Sequence, residues 1–313
     1  MKEQKPLVSI GCPTYNRPAG LRRMLECLVS QTYSNLEIIV SDNCSTGEET
    51  QRVVWELSQQ DPRIKYFRQE QNIGLFHNYK FVLEQAQGEY FAWACDDDAR
   101  EPNFIEACMR EFERLETLLV VNSYSQRVDR LGQVIATDRG CTTIGMPPYQ
   151  RYIQYISTIY TQQAGITDIN YGVMKREQLA KAIRDLPNVE GWDHVLFGRL
   201  SLDGEFYTIP TVLMTSGASG YSANRTELLK TQKIQGSKSE TMPVWVRQIC
   251  QQKTIWSSPN LNWFEKSYLS IWSYAYYFLT HGIKLWIKRL FPRIYGAVRH
   301  QIRQQRIKTT LRN

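Results

Sequence analysis

Tyr90-Phe91-Ala92-Trp93-Ala94-Cys95-Asp96-Asp97-Asp98 passes without a break from five apolar residues into three consecutive carboxylates. A short apolar run of this kind reads as a buried strand. Three adjacent carboxylates at its exit repel one another and are costly to desolvate, so a positive partner is expected there, and a divalent cation is the usual candidate.

Working outward, the first 125 residues alternate between strand and helix patterns. Residues 7–12, 36–40, 64–67, 90–94 and 118–122 are short apolar runs. Between them, Leu21, Met24, Leu25, Leu28 and Val29 mark a helix over 19–31 by their i, i+3, i+4, i+7, i+8 spacing. Val53, Val54 and Leu57 do so over 48–59, and Leu75, Tyr79, Val82 and Leu83 over 75–86. Pro102 opens a further helix with Phe104, Ile105, Cys108, Met109 and Phe112 on one stripe. Alternating strands and helices predict an α/β fold with a parallel sheet covered on both faces, which binds ligands at the carboxyl ends of its strands. Beyond residue 125 the alternation weakens. A hairpin is predicted around Leu131-Gly132, helices over 149–160 and 193–202, a strand over 170–174, and two short strands, 206–209 and 212–215, split by Pro210. Residues 216–240, rich in Ser, Gly, Thr and Lys, read as a loop. The expected organisation is a donor-binding half (1–125), an acceptor-binding half (126–240) and a helical C-terminal extension (241–313).

A chain of 313 residues can bury a sizeable core. Its seven cysteines are scattered, with no CxxC pair, and are expected to be free thiols in a reducing compartment. The opening Met-Lys-Glu-Gln-Lys-Pro leads into a strand and does not read as a signal peptide. Charge is uneven: residues 281–313 hold nine Lys/Arg and no Asp or Glu, so the net +7 of the whole chain becomes −2 for residues 1–280. The basicity therefore describes a partner of the tail and not of the fold.

Polar turns follow the strands. Pro13-Thr14-Tyr15-Asn16-Arg17 follows the first and Ser41-Asp42-Asn43-Cys44-Ser45-Thr46 the second. Asp42 can accept an N–H from a base while Tyr15 stacks on its ring, or Asp42 and Ser45 can simply cap the next helix. Gly74, in Asn72-Ile73-Gly74, can admit a ligand to the backbone or serve a turn. No GxGxxG follows the first strand and no GxxxxGK[ST] occurs, so neither a dinucleotide site nor a P-loop is supported. In the second half, Glu190-Gly191-Trp192-Asp193-His194 is a compact acidic and aromatic cluster at a helix start, where Asp193 can act as a base or as a cap and Trp192 can stack on a sugar or fill the core.

The order Val8-Ser9-Ile10, Pro13-Thr14-Tyr15-Asn16-Arg17, Glu37-Ile38-Ile39-Val40-Ser41-Asp42-Asn43, Asn72-Ile73-Gly74 with Asn78, and Gly88-Glu89-Tyr90 with Asp96-Asp97-Asp98 and Pro102 resembles family 2 glycosyltransferases. The resemblance implies the GT-A fold, a Rossmann-like and mostly parallel central sheet flanked by helices. It implies inverting transfer of a sugar from a nucleotide diphosphate donor, a UDP-sugar being favoured, assisted by Mg²⁺ or Mn²⁺. The acceptor would be a hydroxyl of a glycan or lipid-linked intermediate, as in cell-surface polysaccharide synthesis. Asp42 takes the place of the base-recognising carboxylate, with Pro13, Thr14 and Tyr15 lining the same pocket and Asn72, Gly74 and Asn78 on the donor side. In the acidic run the family's usual first Asp falls on Cys95. Asp97 is then expected to ligate the metal, Asp98 to be a second ligand or outer-shell partner, and Asp96 to lie near the donor ribose. Asp193 resembles the catalytic base, with Glu190 second. Residues 213–222 lack the cation that relatives bring to the diphosphate, which leaves Arg225, Lys230 or the metal alone for that task. Two other readings stay open: a non-catalytic nucleotide-sugar binding module, motivated by Cys95 and the cation-poor loop, and a nucleotidyltransferase.

In the tail, Ile283, Ile287, Leu290, Ile294, Val298 and Ile302 recur every three or four residues among Lys284, Lys288, Arg289, Arg293 and Arg299. That is the pattern of a helix lying on an anionic bilayer, or of a helix packed on the catalytic domain. A terminal basic segment with no recognised module is a poor fit to nucleic acid. The expected location is cytoplasmic, at the inner face of the membrane. Oligomeric state is not legible.

Overall fold

The computed structural model describes residues 5–96, 98–129, 131–161, 168–189, 191–217 and 244–279. In chain order the elements are β1 (Val8–Thr14), α1 (Pro18–Val29), β2 (Leu36–Asp42), α2 (Glu49–Ser58), β3 (Ile64–Arg68), α3 (Leu75–Glu84), β4 (Tyr90–Trp93), β5 (Asp98–Arg100), α4 (Phe104–Arg114), β6 (Leu118–Val128) and β7 (Val134–Asp138). There follow α5 (Pro148–Thr161), a 3₁₀ turn (Asp168–Tyr171), β8 (Val173–Lys175), α6 (Arg176–Ile183), α7 (Trp192–Asp203) and β9 (Glu205–Gly217). Two more helices, named here α8 (Val244–Ser257) and α9 (Trp263–Tyr277), close the described chain.

All nine strands form one sheet, β3-β2-β1-β4-β8-β6-β9-β5, with β7 also paired to β6. The first half is parallel throughout: β1 runs beside β2 and β4, and β2 beside β3. The second half is mixed. β8 is antiparallel to both β4 and β6, β5 to β9 and β7 to β6, while β6 and β9 are parallel. Strands β1 and β2 are buried along their whole length, as strands covered on both faces should be, which is why they read as unbroken apolar runs.

Two apolar cores flank the sheet. One packs Leu21, Leu25, Val54, Phe104, Ile105 and Phe112 of α1, α2 and α4 on one face. The other packs residues of α3, α5, α6 and α7 on the opposite face, and Ile255 and Leu269 of α8 and α9 join it. Both cores draw side chains from before and after residue 125. Asp98 already belongs to β5 and pairs with Ser216. Three features differ from the sequence expectation. The strand expected over 170–174 is instead a 3₁₀ turn (Asp168–Tyr171) followed by β8 (Val173–Lys175). Residues 176–183 form α6, which no pattern announced. Pro210 does not divide two strands, because β9 is continuous and absorbs Pro210-Thr211 where its register against Ser123 and Tyr124 slips. None of the seven cysteines is in a disulfide.

Glu37 shows how the parallel half is locked. From the buried β2 its carboxylate accepts hydrogen bonds from Ser9 of β1, from Lys65 Nζ of β3 at 2.6 Å, and from the Gln87 backbone N–H ahead of β4 at 2.7 Å. Burial alone would raise its pKa, yet the donors from Lys65, Ser9 and Gln87 outweigh that and hold it below the usual glutamate value. A depressed carboxylate contributes stability above its unfolded pKa and loses it as pH falls through the folded value. Glu37→Gln should therefore lower unfolding free energy at pH 7 by about 1.5–3 kcal/mol, the scale of a hydrogen bond to a charged group. The gap to wild type should narrow below about pH 4 in urea titrations; a pH-independent difference would show that the charge of Glu37 contributes nothing.

Candidate active site

The parallel register sets Thr14 opposite Asp42 and Pro13 opposite Ser41, so the turns after β1 and β2 emerge side by side. They are stapled together. Asn16 Oδ1 accepts from Thr46 N at 2.7 Å, and the Asn16 N–H donates to Ser45 Oγ at 2.8 Å. Asn16 and Cys44 both hold positive φ, 56° and 63°. Backbone strain of this kind is concentrated at functional sites, and for a cysteine it is uncommon.

Asp42, 1% exposed, accepts from its own turn (Ser45 N, 2.8 Å) and from the Tyr66 hydroxyl of β3 (3.0 Å). Burial and the Asp42 charge push the Tyr66 phenol up, so it remains a donor. Each carboxylate oxygen of Asp42 spends one acceptor site on the protein and keeps another, since an ionised carboxylate offers about four. Tyr15 is half-buried beside it. A third turn joins these two: Asn43 Nδ2 reaches Asn72 Oδ1 at 3.1 Å, the Ile73 N–H reaches Asn43 Oδ1 at 2.8 Å, and Gly74, at φ 86°, donates its N–H to Asn72 Oδ1. Asn78 is buried and exchanges hydrogen bonds with Ser41, Oγ to Oδ1 at 2.6 Å and Nδ2 to the carbonyl at 3.0 Å. Asn72 and Asn78 thus brace the strand exits through their side chains.

The acidic run is arranged unequally. Asp96, 3% exposed, is clamped by Thr14 Oγ1 at 2.9 Å and by Arg17 Nη1 at 2.6 Å. The start of α1 lies against it so closely that a Cβ on Gly20 would meet the Asp96 carbonyl at 2.1 Å, and only glycine fits there. Asp97 lies outside the described residues. Asp98 is buried on β5 and shares that strand's inward face with Arg100 two residues on. Cys95 sits between two phenols: Tyr79 OH is 2.7 Å from its Sγ, and the pKa of Tyr171 is pushed well above the ordinary value by Cys95 first, then by Tyr79 and burial. Among the described residues no group of three or more His, Cys, Asp or Glu is gathered as a metal cage.

Across the cleft, α7 opens on Gly191 at φ 74° as N-cap, with no side-chain cap. Asp193 lies in the first helical turn, half-buried, and accepts from Asn170 Nδ2 at 3.0 Å. Gly191 and not Asp193 is the N-cap residue, while Asp193 places a negative charge at the positive end of the helix dipole. Trp192, 7% exposed, packs edge-on against Phe76 (5.1 Å between centroids), Tyr79 (5.7 Å) and Trp93 (6.2 Å). It is a core residue that fixes the start of α7 to α3 and to the end of β4. His194 faces Arg247 of α8 at 3.3 Å, and burial with that guanidinium lowers its pKa against the opposing pull of Asp193. Glu190, Arg225 and Lys230 lie outside the described residues.

Residues 9–166 match the model for "Glycosyl transferase family 2", half of the chain. The chain belongs to glycosyl transferase family 2. Among curated proteins it is 32% identical over 164 residues to the putative colanic acid biosynthesis glycosyl transferase WcaA of Escherichia coli K12, covering 51% of this chain and 57% of that one. It is 31% identical over 131 residues to an Escherichia coli chondroitin synthase, covering 42% of this chain and 19% of that one. The chain thus matches little more than half the length of the first relative and a fifth of the second. Among solved structures, S. aureus TarS 1–349 in complex with UDP superposes with a TM-score of 0.59 at 15% identity, over 89% of this chain and 75% of that one. The mannosyltransferase PcManGT of Pyrobaculum calidifontis, in complex with GDP-Man and Mn²⁺, gives 0.51 at 16% identity, over 93% and 88%. The fold is GT-A.

Several site residues carry no local signal of their own in a family 2 chain. Arg17 belongs to the turn after β1, but its pairing with Asp96 needs the fold. Tyr66, Arg100 and Asn170 look like ordinary strand and turn residues until the sheet places them. Arg100 is the least expected: buried on β5, it donates to the carbonyls of Trp93 and of Tyr171, the latter at 3.0 Å. One consequence of the packing is direct. Gly20→Ala should force the Asp96 backbone or α1 to move and lower stability by about 1–3 kcal/mol, the cost of overpacking; an unchanged thermal midpoint would show that α1 does not seat against the acidic run.

Proposed function

We propose that the chain is an inverting, metal-dependent glycosyltransferase that moves a sugar from a nucleotide diphosphate donor, a UDP-sugar in the favoured case, to a hydroxyl of a glycan or lipid-linked acceptor. The observation that carries this reading is the connection between the two carboxylate sites. Arg100, beside Asp98, donates to the Tyr171 carbonyl, and the adjacent Asn170 donates to Asp193. One turn of chain therefore holds the acidic run and the candidate base at the same end of the sheet. The UDP in the TarS structure and the GDP-Man with Mn²⁺ in PcManGT support a nucleotide-sugar donor and a divalent cation on this fold.

In this reading the base of the donor lies between Tyr15 and the remaining acceptor sites of Asp42, with Pro13 and Thr14 as the floor. Asn72, Gly74 and Asn78 keep that floor rigid. Mg²⁺ and Mn²⁺ favour oxygen ligands, and Mg²⁺ commonly takes one or two carboxylates together with substrate phosphates. With Asp96 committed to Thr14 and Arg17, Asp97 and Asp98 are the pair that would hold such an ion. When bound, it supplies positive charge to the departing diphosphate. Asp193 takes the proton of the acceptor hydroxyl, whose oxygen bonds to the anomeric carbon as the bond to the diphosphate breaks on the opposite face, inverting the centre. Asn170 holds the Asp193 carboxylate in place for that transfer.

Asp193→Asn should keep donor affinity and lose roughly 100-fold or more in transfer rate, the usual worth of a general base. Asp97→Asn should lose metal-stimulated turnover. Calorimetry with UDP and Mn²⁺, paired with an assay of sugar transfer, reads both; wild-type turnover in either variant removes that role. The Arg17 clamp on Asp96 and the phenols around Cys95 are also compatible with a binding module that has no chemistry. Donor binding with no turnover in the wild-type chain would favour that alternative, and release of pyrophosphate would point to nucleotidyl transfer.

A further inference from the structure

α9 has one face in the core and one face in solvent. Leu269 and Ser273 are buried, and Gln248 Nε2 of α8 donates to Ser273 Oγ at 2.6 Å, so the inner face is fully engaged. The outer face is apolar. Phe264 (77% exposed), Tyr268, Ile271 (71%) and Tyr274 recur along it at helical spacing, and Phe278 and Leu279 (63%) continue it just past the last helical residue. Tyr268 also touches the Tyr149 ring of α5 at 6.2 Å. The charged side chains of α9, Glu265 and Lys266, fall off this arc by the 100° step of the helix. Exposed aromatic residues in such a row are not left bare in water without a partner.

The sequence that follows names the partner's charge. Residues 281–313 carry nine Lys/Arg and no acid. The amphipathic pattern over 283–302 lies outside the described residues. A protein partner of unspecified charge is not selected by that combination; a surface that takes both aromatic rings and many cations is an anionic bilayer, where Phe, Tyr and Trp enter the interface and Lys/Arg meet lipid phosphates. None of the described helices is long and apolar enough to cross a membrane, so contact would be peripheral.

We infer that the exposed Phe264–Tyr268–Ile271–Phe278 face of α9 docks this protein on anionic lipid. α9 packs on α8, and Arg247 of α8 meets His194 beside Asp193, so the docking face is joined through packed helices to the start of α7. The inference concerns attachment and stands whether or not the proposed transfer chemistry does.

Vesicle flotation of the full chain tests it. Vesicles of phosphatidylglycerol and phosphatidylcholine in equal parts should carry the chain to the top of the gradient, and pure phosphatidylcholine should carry about tenfold less. The triple variant Phe264→Ser, Ile271→Ser, Phe278→Ser, altered at exposed positions, should keep the wild-type thermal midpoint and float about tenfold less on anionic vesicles. Light scattering in parallel should give one mass for both chains. Absence of wild-type flotation, or equal flotation of the triple variant, overturns the proposal. So does a wild-type dimer that the variant converts to a monomer, since a second copy would then be what covers the face.

Discussion

The structure depends on how three adjacent carboxylates are made tolerable at a buried strand exit. Like charges at that spacing cannot all stay ionised and dry without compensation. The chain divides the task. Asp96 is turned back into the protein, where Thr14, Arg17 and the start of α1 surround it. Asp98 is drawn the other way, into β5, and paired through the backbone with Ser216. The two described carboxylates of the run, Asp96 and Asp98, are thus set against different parts of the fold.

That arrangement explains why the first half of the molecule is parallel and so heavily cross-linked. In a parallel sheet the exits of β1, β2, β3 and β4 stack at one end, and each turn is left with unpaired backbone groups. Here the turns satisfy one another: Asn16 with Ser45 and Thr46, Asn43 with Asn72 and Ile73, Asn78 with Ser41. Four asparagines and three hydroxyl residues thus build a floor that does not need a ligand to hold its shape. Preorganisation of this kind lowers the ordering cost of binding.

Much of this could be read in advance. The alternation of the first 125 residues, the polar turns at strand ends and the position of the acidic run all follow from local pattern, because fully buried parallel strands leave unbroken apolar runs. The failures share a cause. β5 is three residues long and contains two charges, so no periodicity marks it; it exists because β9 offers it a partner. Pro210 reads as a breaker, yet a local slip in register lets β9 pass through it. Trp192 carried two open readings, and packing favours one of them, because its ring meets three aromatic neighbours; the Asp193 carboxylate meets Asn170 in the first turn of α7. Sequence reports what a residue can do, and the contacts decide which of those things it does.

The least legible residue is also the one on which the two halves turn. A buried arginine is expensive unless it is surrounded by acceptors. Arg100 is given the carbonyl of Trp93, at the end of β4, and the carbonyl of Tyr171, at the end of the 3₁₀ turn, and its guanidinium lies 5.3 Å from the Phe104 ring. Asp98 lies on the same buried face of β5, two residues before it. The same guanidinium ties the exit of β4 to the turn that carries Asn170, which in turn donates to Asp193. One side chain and one residue of backbone thereby join β5 to the start of α7.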